Sequence, residues 1–176
     1  MAASTIDRKP SDAHAAARAP VATGKVKGRR VLRFESVDEI LREAERLAAA
    51  PRTRQLGNWT PGQVFEHLAR AMDMSIDGAR TRPPWFVRLV GPLMKRMVLK
   101  KMSAGFTLPP QAEAELVAGA SITTQQGLAS LRRAVHRQKT ISTRVPSVVF
   151  GKFTNEQWEQ LHCRHAEMHL SFIEAA

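Results

Sequence analysis

Tyrosine is absent from this chain, and cysteine occurs once, at Cys163. A single cysteine excludes an internal disulfide and makes a reducing cytoplasm the expected setting. No apolar run reaches the roughly 18 residues of a spanning helix, so no transmembrane segment is expected. The N-terminus lacks the apolar core of a secretory signal. Arg29-Arg30 hints at a twin-arginine signal, but the stretch after it, VLRFESVDEILREAER, is charged and amphipathic, and export is not expected. The acid-poor, Ala/Arg-rich start also fits an organelle transit peptide, a less favoured reading. A Gly-rich phosphate loop, a Ser-His-Asp arrangement and a CxxC pair are all missing. With them go the chemistries they carry. The lack of tyrosine and the scarcity of β-branched runs, beside plentiful Ala, Leu, Arg, Glu and Met, bias the chain toward helix.

Basic charge is in excess. The net charge is +11 over 176 residues. Residues 1–33 hold eight Lys/Arg and two acids, a net +6, so about half of the excess sits on that stretch. Residues 1–28 show no apolar period and are expected to form a disordered basic tail, with one domain over residues 29–176. The remainder lacks a dense basic stripe with interleaved aromatics, and no helix-turn-helix stands out, so no nucleic-acid partner is expected.

Helix starts are legible. Ser36 and Glu39, Thr60 and Gln63, and Thr154 and Gln157 each have the spacing of a capping box, in which two orphan N–H groups are satisfied reciprocally. The first opens a helix to about Ala49, with Val37, Ile40, Leu41, Ala44 and Leu47 on one face. The second, with Pro61 at its first position and Gly78 as its stop, runs to about Asp77. Trp59 and Val64 can staple it. The third, stapled by Phe153 and Trp158, runs to about Glu174. One more periodic stretch spans Thr123 to about Lys139, with Leu128, Leu131 and Val135 on one side. Four long amphipathic helices predict an all-α antiparallel bundle. Residues 80–122 are then a long crossover, containing a helix interrupted near Gly91-Pro92 and a loop over GFTLPPQ.

Three of the six histidines fall in HCRHAEMH, residues 162–169. At 100° per residue, Trp158, Leu161, His165, Met168, His169 and Phe172 share the apolar face of the last helix, and Glu159, Arg164 and Glu167 lie off it. His165 and His169 are one turn apart and can reach one ion. His162, at the edge of that face, is a further ligand candidate or a donor to a ligand. On the second helix Val64, Leu68, Ala71, Met72 and Ser75 mark the buried side. His67 lies on its flank, and Glu66, Arg70, Asp73 and Asp77 face out. If the two helices run antiparallel with level ends, all three imidazoles fall at nearly one height. The rival reading is that they are hydrogen-bonded core residues. Cys163 lies off the inward face and reads as a bystander.

The stretch Gly57-Asn-Trp-Thr-Pro-Gly-Gln-Val-Phe-Glu-His67-Leu-Ala, with Trp158 and the ending His165-Ala-Glu-Met-His169-Leu-Ser-Phe, resembles the DinB/YfiT-like superfamily. The resemblance is to an uncharacterised bacterial branch, a domain of unknown function, over roughly residues 30–174. It implies an up-down-down-up four-helix bundle with a long crossover between the second and third helices. It also implies a divalent metal, zinc or nickel, held by His67, His165 and His169. Characterised relatives include metal-dependent thiol S-transferases, so a metal-dependent hydrolase or thiol transferase acting on a small thiol or anionic molecule is the expectation. Dimers are common for such bundles by symmetry. No general base is evident. Glu66 and Glu167 are the nearest candidates for groups behind the ligands.

The alternative is a non-catalytic binding module. Residues 80–102 carry seven Lys/Arg and no acid, and Phe86, Val90, Leu93, Met94 and Met97 share one side of the helix. Such a segment can lie on an anionic membrane or an acidic partner. The favoured expectation is that its apolar side caps the bundle.

Overall fold

The structure, a computed structural model, describes residues 19–105 and 110–176, and of residues 110–112 the backbone only. The described residues form six α-helices and one two-stranded sheet. In chain order these are α1 (Val37–Ala49), β1 (Thr53–Gln55), α2 (Pro61–Asp77), α3 (Trp85–Lys100), α4 (Pro110–Leu116), α5 (Thr124–Thr140), α6 (Asn155–Leu170) and β2 (Ile173–Ala175).

Local chemistry explains most boundaries. Reciprocal capping boxes open α2 (Thr60, Gln63), α5 (Thr123, Gln126) and α6 (Thr154, Gln157). Each satisfies two N–H groups that the first helical turn leaves bare. The box expected at Ser36 does not form. Its hydroxyl makes no cap bond, and the Glu39 carboxylate instead accepts from the Glu35 N–H at 2.8 Å. Gly78 closes α2 at φ 86°, a conformation that side chains with a Cβ rarely adopt. The last helix ends at Leu170, four residues before the expected end. Its carboxyl-terminal residues turn into β2, which pairs antiparallel with β1 so that Gln55 faces Ile173. Sequence periodicity missed both strands because three residues are too few to show an alternation.

Cross-helix contacts set the directions. Gly62 and Gly127 bring the amino-terminal ends of α2 and α5 together so closely that a methyl on Gly62 would stand 2.5 Å from the Thr123 carbonyl oxygen. At the other ends Arg137 pairs with Asp73 and Asp77. These two helices therefore run parallel. Opposite α2, His67 meets His165 and Ser75 meets His162, so α6 runs antiparallel to it. Lys139 pairs with Asp38 and Arg132 with Glu45, which places α1 antiparallel to α5. Ile40, Leu47, Phe65, Leu68, Met72, Leu131 and Leu170 are fully buried between these four helices.

The crossover differs most from expectation. α3 continues through Gly91 and Pro92 without a break. Pro92 removes one helical N–H, and the carbonyl that would have received it belongs to Arg88, which is exposed and can bond to water. Gly91 is buried where the backbone of Val149 leaves no room for a side chain. The apolar side of α3 does not cap the bundle: Phe86, Val90, Leu93, Met94 and Met97 are all exposed. Only Gly91 and Val98 of this helix are buried, and Val98 packs on Trp158 and Leu161. Of the loop expected over GFTLPPQ, residues 106–109 lie outside the described residues, and α4 begins at Pro110. Of the expected tail, residues 1–18 also lie outside them. Thr23–Lys25 form a single 3-10 turn, and Val21 exchanges two hydrogen bonds with the Asn58 side chain.

Candidate metal centre

Ridge positions on antiparallel α2 and α6 bring His67, His165 and His169 together, with one nitrogen of each within 4.8 Å of the others. His165 Nε2 lies 3.1 Å from His67 Nε2 and 3.0 Å from His169 Nε2. Two nitrogens bound tetrahedrally to zinc at about 2.0–2.1 Å stand about 3.3 Å apart. Both short separations come close to that value.

The proton count at this cluster is informative. His67 Nδ1 lies 3.1 Å from the Leu116 carbonyl oxygen. A carbonyl only accepts, so Nδ1 carries the proton, and in the neutral ring Nε2 is bare. That bare nitrogen faces His165 Nε2. If His165 Nε2 is also bare, two lone pairs oppose each other at hydrogen-bond distance. If it carries a proton, that one proton has two claimants, His67 and His169. Three neutral rings thus cannot each make a full bond, whereas a cation between them satisfies all three lone pairs. A group of three histidines that could hold a metal ion is therefore present.

Electrostatics favours the neutral, ligating form. Burial lowers the His67 pKa to about 4, against a smaller opposing effect of the Leu116 carbonyl and a further lowering by Arg70. Burial, and then the charge on neighbouring imidazoles, holds His165 and His169 well below the ordinary histidine value. His67 is fully enclosed, and His165 and His169 are partly exposed, so the cluster is reached from their side. The Trp59 indole stacks on His169 at 5.2 Å and 7° and leans on His67 at 4.9 Å. The tryptophan read as a staple thus covers two of the three imidazoles.

The segment that orients His67 was not visible in the sequence. The end of α4 is tied to α2 by Arg70, which donates to the Glu115 and Val117 carbonyls, and by Gln63, which donates to Ala118. Those bonds present the intervening Leu116 carbonyl to His67. Glu66 in turn holds Arg70 at 2.9 Å. Glu66 is therefore engaged two steps from the imidazole, and Arg70, read as facing out, is a tether. No periodicity signals a backbone carbonyl contact across 49 residues.

Several other positions differ from expectation. His162 is not part of the cluster: its ring stacks on Trp158, and its Nε2 lies 3.4 Å from the Ser75 hydroxyl. Arg164, read as off the buried face, is 1% exposed and donates to the Phe34 carbonyl. Glu167, read as facing out, accepts from the Phe34 N–H at 2.7 Å and pairs with Arg164 at 3.2 Å. Cys163 is buried in the core, and burial pushes its thiol up to about 12, so it is inert as a nucleophile. The reason is common to Arg164, Glu167 and Cys163. The segment before α1 packs across α6 through Phe34 and covers the side that periodicity assigns to solvent.

Neither the curated proteins nor the solved structures give a match to this sequence. One family model does, over residues 26–176, a span that takes in α1 to α6, both strands and all three clustered histidines; the chain belongs to the family described as Protein of unknown function (DUF1569).

Proposed function

We propose that His67, His165 and His169 hold one divalent cation, zinc or nickel, and that the chain uses it to transfer or activate a small thiol. The observation that carries this reading is the convergence of three Nε2 atoms with too few protons to bond to one another. The helices α1, α2, α5 and α6 are read as the up-down-down-up bundle of a DinB-like domain over residues 29–176, working in the cytoplasm.

When bound, the cation supplies Lewis acidity, which makes a thiol or water nucleophilic at neutral pH. The chain's own residues do the positioning. The Leu116 carbonyl fixes the His67 tautomer, and α6 fixes the other two rings one turn apart. Trp59 keeps water from one side of the cluster. Among the described residues no carboxylate beside the cluster is free to serve as the general base that hydrolysis would need. Glu66 is committed to Arg70, and Glu167 to Phe34 and Arg164. A thiol, with an ordinary pKa near 8.5, needs far less help than water does. Thiol S-transfer is therefore preferred over hydrolysis.

The test is a screen of the zinc-, nickel- and manganese-loaded protein for transfer of small thiols to electrophilic acceptors, run beside ester and amide hydrolysis. The reading expects metal-dependent thiol consumption that His165→Ala abolishes. Hydrolysis without thiol transfer would overturn the preference. Turnover that survives a chelator and His165→Ala would overturn the site.

A further inference from the structure

α3 leaves its apolar side bare. Leu93 is 82% exposed, Trp85 76% and Leu89 69%, and Phe86, Val90 and Met97 are each about half exposed or more. At 100° per residue these six positions span about 140°, roughly two-fifths of the helix circumference, with Arg96 and Lys100 interleaved in the later turns. An exposed apolar patch of this extent on a folded chain marks an interaction site. The opposite side of α3 already packs on α6 through Val98. The bare side is therefore an outward face.

Charge identifies what covers it. Residues 80–102 carry seven Lys/Arg and no acid. Arg88, Arg96, Lys100 and Lys101 are exposed along and beyond the same helix. Lys95 is the exception, since it donates to the Lys152 carbonyl and lies over the Phe153 ring. A second copy of the chain would set this basic helix against its own equal, so self-association through α3 is disfavoured. An aromatic anchor, an aliphatic face and long basic side chains able to reach outward are instead the features of a helix lying in a lipid interface.

We propose that α3 docks flat on an anionic lipid bilayer. Trp85, Leu89 and Leu93 enter the headgroup boundary, and Arg88, Arg96, Lys100 and Lys101 meet lipid phosphates. The docking is peripheral, because no helix among the described residues is long and apolar enough to cross a membrane. It does not depend on the histidine cluster.

The test is flotation of the full chain with phosphatidylcholine vesicles containing about 30 mol% phosphatidylglycerol, and with phosphatidylcholine alone. The double variant Leu89→Glu/Leu93→Glu alters only exposed positions, and its helix content is checked by circular dichroism. The expected result is flotation with anionic vesicles that falls at least about tenfold on neutral vesicles, and again at least about tenfold in the variant. Fluorescence supplies a second reading: anionic vesicles shift the emission to the blue, and Trp85→Phe removes that shift. Equal flotation of wild type and variant would overturn the proposal and assign the binding to the basic residues 1–33. Absence of flotation would also overturn it and leave an acidic protein as the occupant.

Discussion

His67 owes its role to a partner it does not share an element with. Its neighbours in sequence place it on the buried flank of α2, but the Leu116 carbonyl decides which nitrogen is bare. Arg70 acts through that carbonyl, so Arg70→Ala is expected to weaken zinc or nickel affinity about 10- to 100-fold, as loss of a group behind a ligand does. Competition with a chromophoric chelator measures it, and unchanged affinity would show that the α4 tether is idle. His162 gives a separate pH signature. Burial, and secondarily the Arg144 charge, lowers its pKa to about 3. The unfolded chain takes up this proton below the ordinary value near 6.5, and the folded chain does not. The fold therefore loses about 2 kcal/mol from His162 alone on going from pH 7 to pH 5, and nothing above pH 7. Urea titrations of wild type and His162→Gln over that range are expected to differ in slope by about one proton. Parallel slopes would contradict the buried, neutral assignment.

At the scale of elements, the sequence disclosed helices wherever local chemistry is self-contained. Thr60 with Gln63 and Thr154 with Gln157 bond within their own turns, and both boxes form as read. Ser36 with Glu39 has the same spacing and fails, because the Glu35 N–H takes the Glu39 carboxylate. The two cases give a stability contrast. Thr154→Ala is expected to cost about 1 kcal/mol, and Ser36→Ala clearly less, in denaturant midpoints at constant slope. Equal costs would mean that Ser36 caps after all. The wrong readings on α6 have another origin. Periodicity assumes one buried side, and α6 is enclosed on several, with α2, α1 and the segment carrying Phe34 around it. Periodicity therefore misplaces Arg164, Cys163 and Glu167, while it sets His165 and His169 on the side that meets His67. On α3 the error ran the other way. Its apolar residues share one side as read, and that side is left open.

Across the whole molecule, the relation between α2 and α6 is what turns three separate histidines into a cluster. An antiparallel alignment is enough to set them at one height, and two contacts along the pair agree with it: His67 with His165, Ser75 with His162. Parallel α2 and α5, locked at Gly62 and Gly127 and again at Arg137, give that pair a rigid backing. The sequence could not show the glycine contact, since a glycine inside a helix carries no sign of what approaches it. The central claim is that this arrangement holds one cation. The most direct measurement is elemental mass spectrometry of the full chain purified without a histidine tag or chelator, beside His67→Ala and His165→Ala. The account expects about one equivalent of zinc or nickel per chain in the wild type and loss of it in both variants, as a three-ligand site requires. A wild type that stays empty after reloading with zinc, nickel and manganese, or variants that keep the metal, would contradict it.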